Sequence, residues 1–204
     1  MNTFATIEAI KNPYTYINYK NLVFDLAEKG SSTGEMTEEK IAATKINAQR
    51  IKRIDKQFEL SNEVKRLLKL QKRDWLWIVL VESWCGDAAQ NIPVIAKIAE
   101  QSSKIELKLI LRDENLQIMD AYLTNNSRSI PKLICIDKES GEEIGTWGSR
   151  PTVIQDAAVK FKALNPAVSH TDFVTYIHSL YAKDKGNSLQ QEFIDLLKIW
   201  NKRA

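Results

Sequence analysis

The stretch that most constrains the fold is Trp75–Glu100. It opens on Trp75–Glu82, which is almost entirely apolar, aromatic or β-branched and therefore predicts a buried β-strand. After the turn Ser83–Asp87, alanine and isoleucine recur at helical spacing. The sequence thus places Cys85 where a central strand passes into a helix, at or near the first turn of that helix.

This position predicts a reactive cysteine. Unpaired N–H groups and the positive end of the helix macrodipole would point at Cys85. Such surroundings favour the thiolate and can lower a cysteine pKa from about 8.5 to below about 7.5. The alternative is an inert buried cysteine at the end of a strand.

Composition excludes several classes of protein. A chain of 204 residues with 44% hydrophobic residues can bury a sizeable core. Its net charge of +3 gives no case for a nucleic-acid partner, and no apolar run is long enough to span a membrane. The two histidines, His170 and His178, have no cysteine or acid cluster around them in sequence, so no metal site is expected, and no cofactor is expected either.

Cysteine usage indicates a reducing compartment. The two cysteines, Cys85 and Cys135, do not form a disulfide framework. The N-terminus shows no basic segment followed by an apolar one, so no signal peptide is apparent. We therefore expect a cytoplasmic protein, although a chain lacking its leader would have the same sequence.

The remaining patterns predict helices at both ends and a sheet between them. Before the central strand every predicted element is helical, and after it helices and strands alternate in the order expected of a small mixed sheet with helices on both faces. The predicted helices before the central strand are Pro13–Lys29, Thr37–Phe58 and Asn62–Gln71, and the later predicted strands are Lys104–Leu111, Pro131–Asp137 and Glu142–Trp147.

Three loops together resemble the thioredoxin superfamily. They are Trp84-Cys85-Gly86 between strand and helix, Ser129-Ile130-Pro131 ahead of a strand, and the run from Gly145 to Pro151. Three features are similar to a narrower group of bacterial thioredoxin-like proteins with a helical N-terminal extension. They are the motif Trp-Cys-Gly-Asp-Ala, the Gly-x-Trp-Gly-x-Arg-Pro run, and the pair Asn47 and Arg50.

The resemblance implies an α/β, thioredoxin-like fold, with a central mixed four-stranded sheet, helices on both faces, and added N-terminal and C-terminal helices. The expected division is a helical extension over residues 1–72, a thioredoxin-like core over 73–164 and C-terminal helices over 165–204, all in one integrated unit.

The resemblance also implies a substrate groove around Cys85. Pro131 would be a cis-proline, and the backbone of Ile130 would pair with an extended substrate as an added strand. For either tryptophan, the alternative is plain core packing. The residues expected to line the groove are Trp84, Gly86, Ile130, Pro131, Trp147 and Gly148.

Two departures from the superfamily pattern affect the chemistry. Ala88 stands where the second cysteine is usual, and Cys135 lies about 13 Å along a strand from Pro131 at ~3.3 Å per residue, which is beyond the roughly 7 Å that a disulfide allows between Cα atoms. Cys135 is therefore expected in the core. Apolar Val79 occupies the position of the usual buried acid.

Four polar residues are candidate helpers of Cys85. Asp87 is a second catalytic candidate as a proton carrier, although it could equally be a helix-start acid whose charge opposes the thiolate. Glu82 is ambiguous and could be solvated. Asn47 and Arg50 are neighbours on one helix face, and Arg50 could stabilise a thiolate or simply be solvated.

Two functions from different classes fit these residues. The first is a monothiol thiol:disulfide oxidoreductase, in which Cys85 attacks a protein or low-molecular-weight disulfide and an external thiol resolves the product. The second is a non-catalytic binding module that holds a protein partner. Cluster or glutathione binding, as in monothiol glutaredoxins, is a weaker third option because no separate glutathione-binding signature is present. The oligomeric state cannot be inferred.

Overall fold

The computed structural model describes residues 8–203. Its centre is a four-stranded mixed sheet in the order β2-β1-β3-β4. Strand β1 (Trp75–Val81) pairs in parallel with β2 (Ile105–Leu111) and antiparallel with β3 (Lys132–Asp137), and β4 (Glu143–Gly148) pairs antiparallel with β3. The predicted mixed four-stranded sheet is confirmed.

Helices surround the sheet. In the described range they are α1 (Tyr16–Lys29), α2 (Glu38–Gln57), α3 (Asn62–Lys69), α4 (Gly86–Glu100), α5 (Leu116–Ala121), α6 (Thr152–Leu164), α7 (His170–Asp184) and α8 (Asn187–Arg203). None of these combines the length and the apolar character that crossing a bilayer requires.

The central strand is buried along its whole length. Because alternate residues of a strand face the same side, Trp75 and Trp77 point together at the C-terminal helix α8. Their rings lie 6.1 and 6.0 Å from the ring of Trp200, in edge-to-face arrangements. Helix α8 therefore completes the core on one face of the sheet.

The N-terminal helices are fixed to the sheet by backbone and capping contacts. Tyr14 exchanges two backbone hydrogen bonds with Leu109 of β2, at 2.8 and 2.9 Å. The predicted helix start at Pro13 was therefore early, and α1 begins after the capping side chain of Thr15. Helix α2 begins after its predicted cap, Thr37, and packs between α1 and α4, which brings its middle to the start of α4.

Helices α6 and α7 share an apolar cluster separate from the main core, made of Ile154, Ala158, Phe173, Ile177 and Tyr181. Hydrogen bonds from α7 reach the first two turns of α4, where Asn91 donates to the Tyr181 hydroxyl at 2.9 Å. Helix α7 thus lies beside the start of α4, where Cys85 is.

Candidate active site around Cys85

Cys85 is the N-cap of α4. Its Sγ accepts the Ala88 N–H at 3.4 Å and lies 3.3 Å from the carbonyl oxygen of Ile130, to which the thiol donates. The Ile130–Pro131 peptide bond is cis, as the resemblance implies. Local sequence and a distant loop therefore both position the sulfur, and the side chain keeps only 7% of its surface exposed.

The predicted low pKa of Cys85 is wrong. Burial raises the pKa of the thiol to about 12, and the charge of Asp87 raises it as well, against the lowering by the N–H groups of Ala88 and Asp87 and by Arg150. The free-energy cost of moving a thiolate out of water exceeds the stabilisation that these donors and this cation provide. At neutral pH Cys85 is therefore a thiol, consistent with its hydrogen bond to Ile130.

Asp87 is held in an ion pair. Both of its carboxylate oxygens accept from Arg150, at 2.8 to 2.9 Å, and Oδ1 also accepts from the Tyr181 hydroxyl at 2.8 Å. Burial, followed by the Asp87 charge, raises the pKa of Tyr181 well above its usual value. Because donors occupy both carboxylate oxygens of Asp87, this residue is poorly placed to carry a proton. Its negative charge acts on Cys85 instead.

Two cavities meet at Cys85. The first, of about 460 Å³, lies on the side of the Ile130 loop. The second, of about 520 Å³, lies between α2 and α7. Of the expected groove residues, Trp84, Ile130 and Gly148 line the first cavity and Trp84 and Gly86 line the second, whereas Pro131 is buried.

Trp147 requires a correction. Its side chain is buried and packs on Phe193, with ring centroids 5.8 Å apart, and its indole N–H donates to Glu192 at 2.7 Å. It lines neither cavity, so the core-packing alternative holds for this tryptophan. Trp84 is half-buried between two cations, with Arg112 and Lys40 at 4.9 and 5.2 Å from its ring.

For Glu82, which the sequence left ambiguous, the structure excludes the solvated alternative, because the residue is 1% exposed. It accepts a hydrogen bond from the Thr33 hydroxyl and another, at 2.9 Å, from the Asp113 backbone N–H. Burial raises its pKa. Glu82 therefore joins the loop before α2 to the end of β1.

Asn47 and Arg50 approach the motif as expected. Asn47 is fully buried and donates to the Ser83 carbonyl oxygen at 2.8 Å, while Arg50 Nη1 donates to Asn47 Oδ1 at 2.8 Å. The cation with the larger effect on the pKa of Cys85 is nevertheless Arg150 and not Arg50.

The sequence comparison decides the family. A family model described as thioredoxin matches residues 34–165, more than half of the 204-residue chain. This chain belongs to the thioredoxin family. No curated relative matches it.

Solved structures agree on the fold. A protein of unknown function from Pseudomonas aeruginosa, solved at 1.5 Å, is 18% identical with a TM-score of 0.57, covering 94% of this chain and 99% of that one. An HIV epitope scaffold is 16% identical with a TM-score of 0.53, covering 91% of this chain and 97% of that one. Both similarities concern the thioredoxin-like fold alone.

As a thioredoxin-family protein, the chain lacks a resolving cysteine near Cys85. Ala88 takes the second position of the motif, and Cys135 is a fully buried residue of β3. Both cysteines are free. The described residues also contain no group of three or more His, Cys, Asp or Glu side chains arranged to hold a metal ion.

Three further residues belong to this site and were not predicted from the sequence to act there: Arg150, Tyr181 and His178. Of these, His178 was considered only as a metal ligand. Arg150 and Tyr181 hold Asp87. His178 lies against Gly86, where a Cβ would be 2.5 Å from its Nε2. Burial lowers the pKa of His178 to about 3, helped by the charges of Arg50, Arg150 and Arg53. Only Arg150, within the Gly-x-Trp-Gly-x-Arg-Pro run, carried a sequence signal.

Because folding keeps His178 neutral, we expect the free energy of unfolding to decrease in acid. Its pKa is lowered to about 3 on folding, so the unfolded chain takes up a proton first, below about pH 6.5. Stability from this group is present above pH ~6.5 and is lost as the pH falls toward 3. We expect His178→Asn to reduce the loss of unfolding free energy between pH 7 and pH 4.5 by about 1–2 kcal/mol, measured by urea denaturation.

The matched control for His178→Asn is His170→Asn on the same helix, where the histidine side chain is 76% exposed. That variant should keep the wild-type pH dependence. An unchanged pH dependence in His178→Asn would contradict the assignment of a neutral, proton-excluding histidine.

Proposed function

We propose that the chain is a monothiol thiol:disulfide oxidoreductase. The observation that supports this best is the position of Cys85 Sγ, at the start of α4, beside the cis-proline loop and at the junction of two cavities. Such a sulfur can receive substrate from either side, although its resting state is protonated.

The proposed reaction has two balanced steps. The Cys85 thiol loses its proton and attacks one sulfur of a substrate disulfide; the S–S bond breaks and the other sulfur leaves as a thiolate, which takes up a proton. An external thiol, from a protein or a small molecule, then attacks the mixed disulfide. Cys85 returns to the reduced state, and the external thiol ends in a new disulfide.

The proposal extends to the setting of the protein. The Trp-Cys-Gly-Asp-Ala motif, with Asn47 and Arg50 beside it, supports membership of the bacterial thioredoxin-like group with a helical extension. The two free cysteines support a cytoplasmic, reducing location. We further propose the division at residues 72 and 164, with the flanking helices adding walls to the thioredoxin-like core.

The raised pKa of Cys85 favours a second candidate, a non-catalytic binding module for a protein partner. A thiol with a pKa of about 12 that is 7% exposed is a poor nucleophile at neutral pH. In that case the cavities would hold a partner without covalent chemistry, and Cys85→Ser would still capture it.

The experiment that separates the two is trapping by a small aromatic disulfide such as 5,5′-dithiobis(2-nitrobenzoate). Wild type, Cys85→Ser and Cys135→Ser are incubated with excess reagent, and the adduct is located by peptide mass spectrometry. The oxidoreductase gives one adduct on Cys85 in wild type and in Cys135→Ser and none in Cys85→Ser, with a rate that rises from pH 7 to pH 10. No adduct on Cys85 at any pH would leave the binding module.

A further inference from the structure

The cavity between α2 and α7 is built largely by the flanking helices. Its walls come from α2, between Glu39 and Arg50, and from α7, and its floor from Cys85, Gly86, Asp87 and Arg150. Helix α7 begins at His170, beyond residue 165 where the family match ends. At about 520 Å³ the cavity, hereafter the α2–α7 cleft, is within the ~300–1,000 Å³ typical of small-molecule sites.

Arg50 brings to the α2–α7 cleft a positive charge without a direct ion-pair partner, on which Asp87 acts from beyond ion-pair distance. Its one side-chain hydrogen bond goes to the neutral Asn47, and among residues 8–203 no carboxylate oxygen lies within 4.0 Å of its guanidinium. The nearby Asp87 is occupied by Arg150 and Tyr181. A half-buried guanidinium without a counter-ion is a recognition element for an anion.

His178 adds a neutral donor at the same point. Gln90 Nε2 lies 3.3 Å from His178 Nδ1, and because an amide nitrogen can only donate, Nδ1 accepts and Nε2 carries the ring proton. A Cβ on Gly86 would lie 2.5 Å from His178 Nε2 and 3.2 Å from Arg50 Nη1. His178 Nε2 and Arg50 Nη1 therefore both pack against Gly86, close to one another, and a side chain at residue 86 would displace them.

The rest of the α2–α7 cleft is apolar on one side. Phe173, Val174 and Ile177 line it from α7, and Ala43 lines it from α2. The other ionisable side chains of the lining have partners: Asp87 pairs with Arg150 at 2.8 Å, Lys40 lies 3.5 Å from Glu35, and His170 lies 3.5 Å from Glu39. The cleft thus offers one charge without a direct ion-pair partner and an apolar wall.

From this geometry we propose that the α2–α7 cleft binds a small organic monocarboxylate. The carboxylate lies in the cleft where Arg50 and His178 line it, on the guanidinium of Arg50 and the Nε2–H of His178. The apolar body of the ligand lies against Phe173, Val174 and Ile177. A planar carboxylate matches one guanidinium and one N–H donor, whereas a compact, more highly charged phosphate leaves the apolar wall empty.

The test is calorimetric titration of the full chain with hexanoate, hexanol and inorganic phosphate. Hexanoate should saturate one site, and hexanol and phosphate should each bind at least about tenfold more weakly, because each lacks one half of the match. Arg50→Gln should weaken hexanoate binding at least about tenfold. His178→Asn, a second variant at a different element, should weaken it by about threefold to tenfold.

The matched control is Arg66→Gln. Arg66 is an exposed arginine of α3 and lies outside the α2–α7 cleft. Its loss should leave hexanoate binding within about threefold of wild type. An equal loss in both arginine variants would show attraction by surface charge alone and would overturn the proposal, as would the absence of saturable hexanoate binding.

A second readout comes from NMR of the His178 ring at pH 7, where hexanoate is ionised. A carboxylate that accepts the Nε2–H should shift the ring resonances of His178 at saturating hexanoate. Unmoved His178 resonances at saturation would place hexanoate elsewhere and overturn the proposal. Both measurements detect ligand binding and do not depend on disulfide exchange at Cys85. A failure of this proposal is therefore distinguishable from a failure of the proposed function.

Discussion

Asp87→Asn is expected to accelerate disulfide exchange at Cys85 about tenfold at pH 7. The Asp87 charge raises the pKa of Cys85, and its removal also frees Arg150 to act as an uncompensated cation. The lower pKa of Cys85 in the variant gives more thiolate at pH 7. Because a less basic thiolate is a weaker nucleophile, with a Brønsted coefficient of about 0.5, the net gain is about tenfold.

The measurement is the pH dependence of the reaction with a small disulfide. Its midpoint should move to lower pH in Asp87→Asn and to higher pH in Arg150→Gln, since Arg150 lowers the pKa of Cys85. Opposite movements distinguish an electrostatic effect from general loosening of the site. The matched control is Asp55→Asn, because Asp55 also accepts from a tyrosine, Tyr16, and pairs with a cation, Lys20. An Asp87→Asn midpoint equal to or above that of wild type would contradict the prediction.

Gly148→Ala should cost about 3–5 kcal/mol of unfolding free energy, a large loss for one methyl group. Gly148 ends β4 with a φ of +132°, which side-chain-bearing residues rarely adopt. A Cβ there would overlap the carbonyl oxygen of Pro131 and lie 3.2 Å from the Cα of Lys132. Both neighbours are backbone atoms of the loop that positions Cys85, so neither can rotate away.

Chemical denaturation of Gly148→Ala beside Gly30→Ala gives the comparison. Gly30 also has a positive φ, of +63°, but a Cβ there would meet no atom within 4 Å. Gly30→Ala should therefore cost only the conformational penalty of about 1–2 kcal/mol. Equal losses in the two variants would mean that conformation, and not the close approach of two loops, accounts for the effect at Gly148.

Hydrophobic periodicity and loop chemistry predicted the helices and strands of a small mixed sheet, and the resemblance of three loops implied the thioredoxin-like fold. The apolar run of β1 and the Cys85 turn are local features, and each retained its predicted structure because neighbouring residues determine it. The prediction erred by two or three residues at Pro13 because a tertiary contact, Tyr14 with Leu109, decides where α1 begins.

The site was less predictable because its chemistry depends on distant residues. The helix start alone argued for an acidic Cys85, but burial beneath the Ile130 loop reverses the shift. His178 is 92 residues from Gly86 in sequence, and no residue pattern in α7 predicts their contact. Trp147 turned inward because α8 supplies Phe193 and Glu192 as partners.

The separate apolar cluster of α6 and α7 has a consequence for how the sulfur becomes accessible. The pair of helices keeps its own small core, while the link from α7 to α4 described above consists of hydrogen bonds with the Asp87 ion pair beside them. Water can replace such contacts at far lower cost than it can open the sheet. On the α7 side, access to Cys85 can then increase by the detachment of this pair of helices, at a free energy below that of global unfolding.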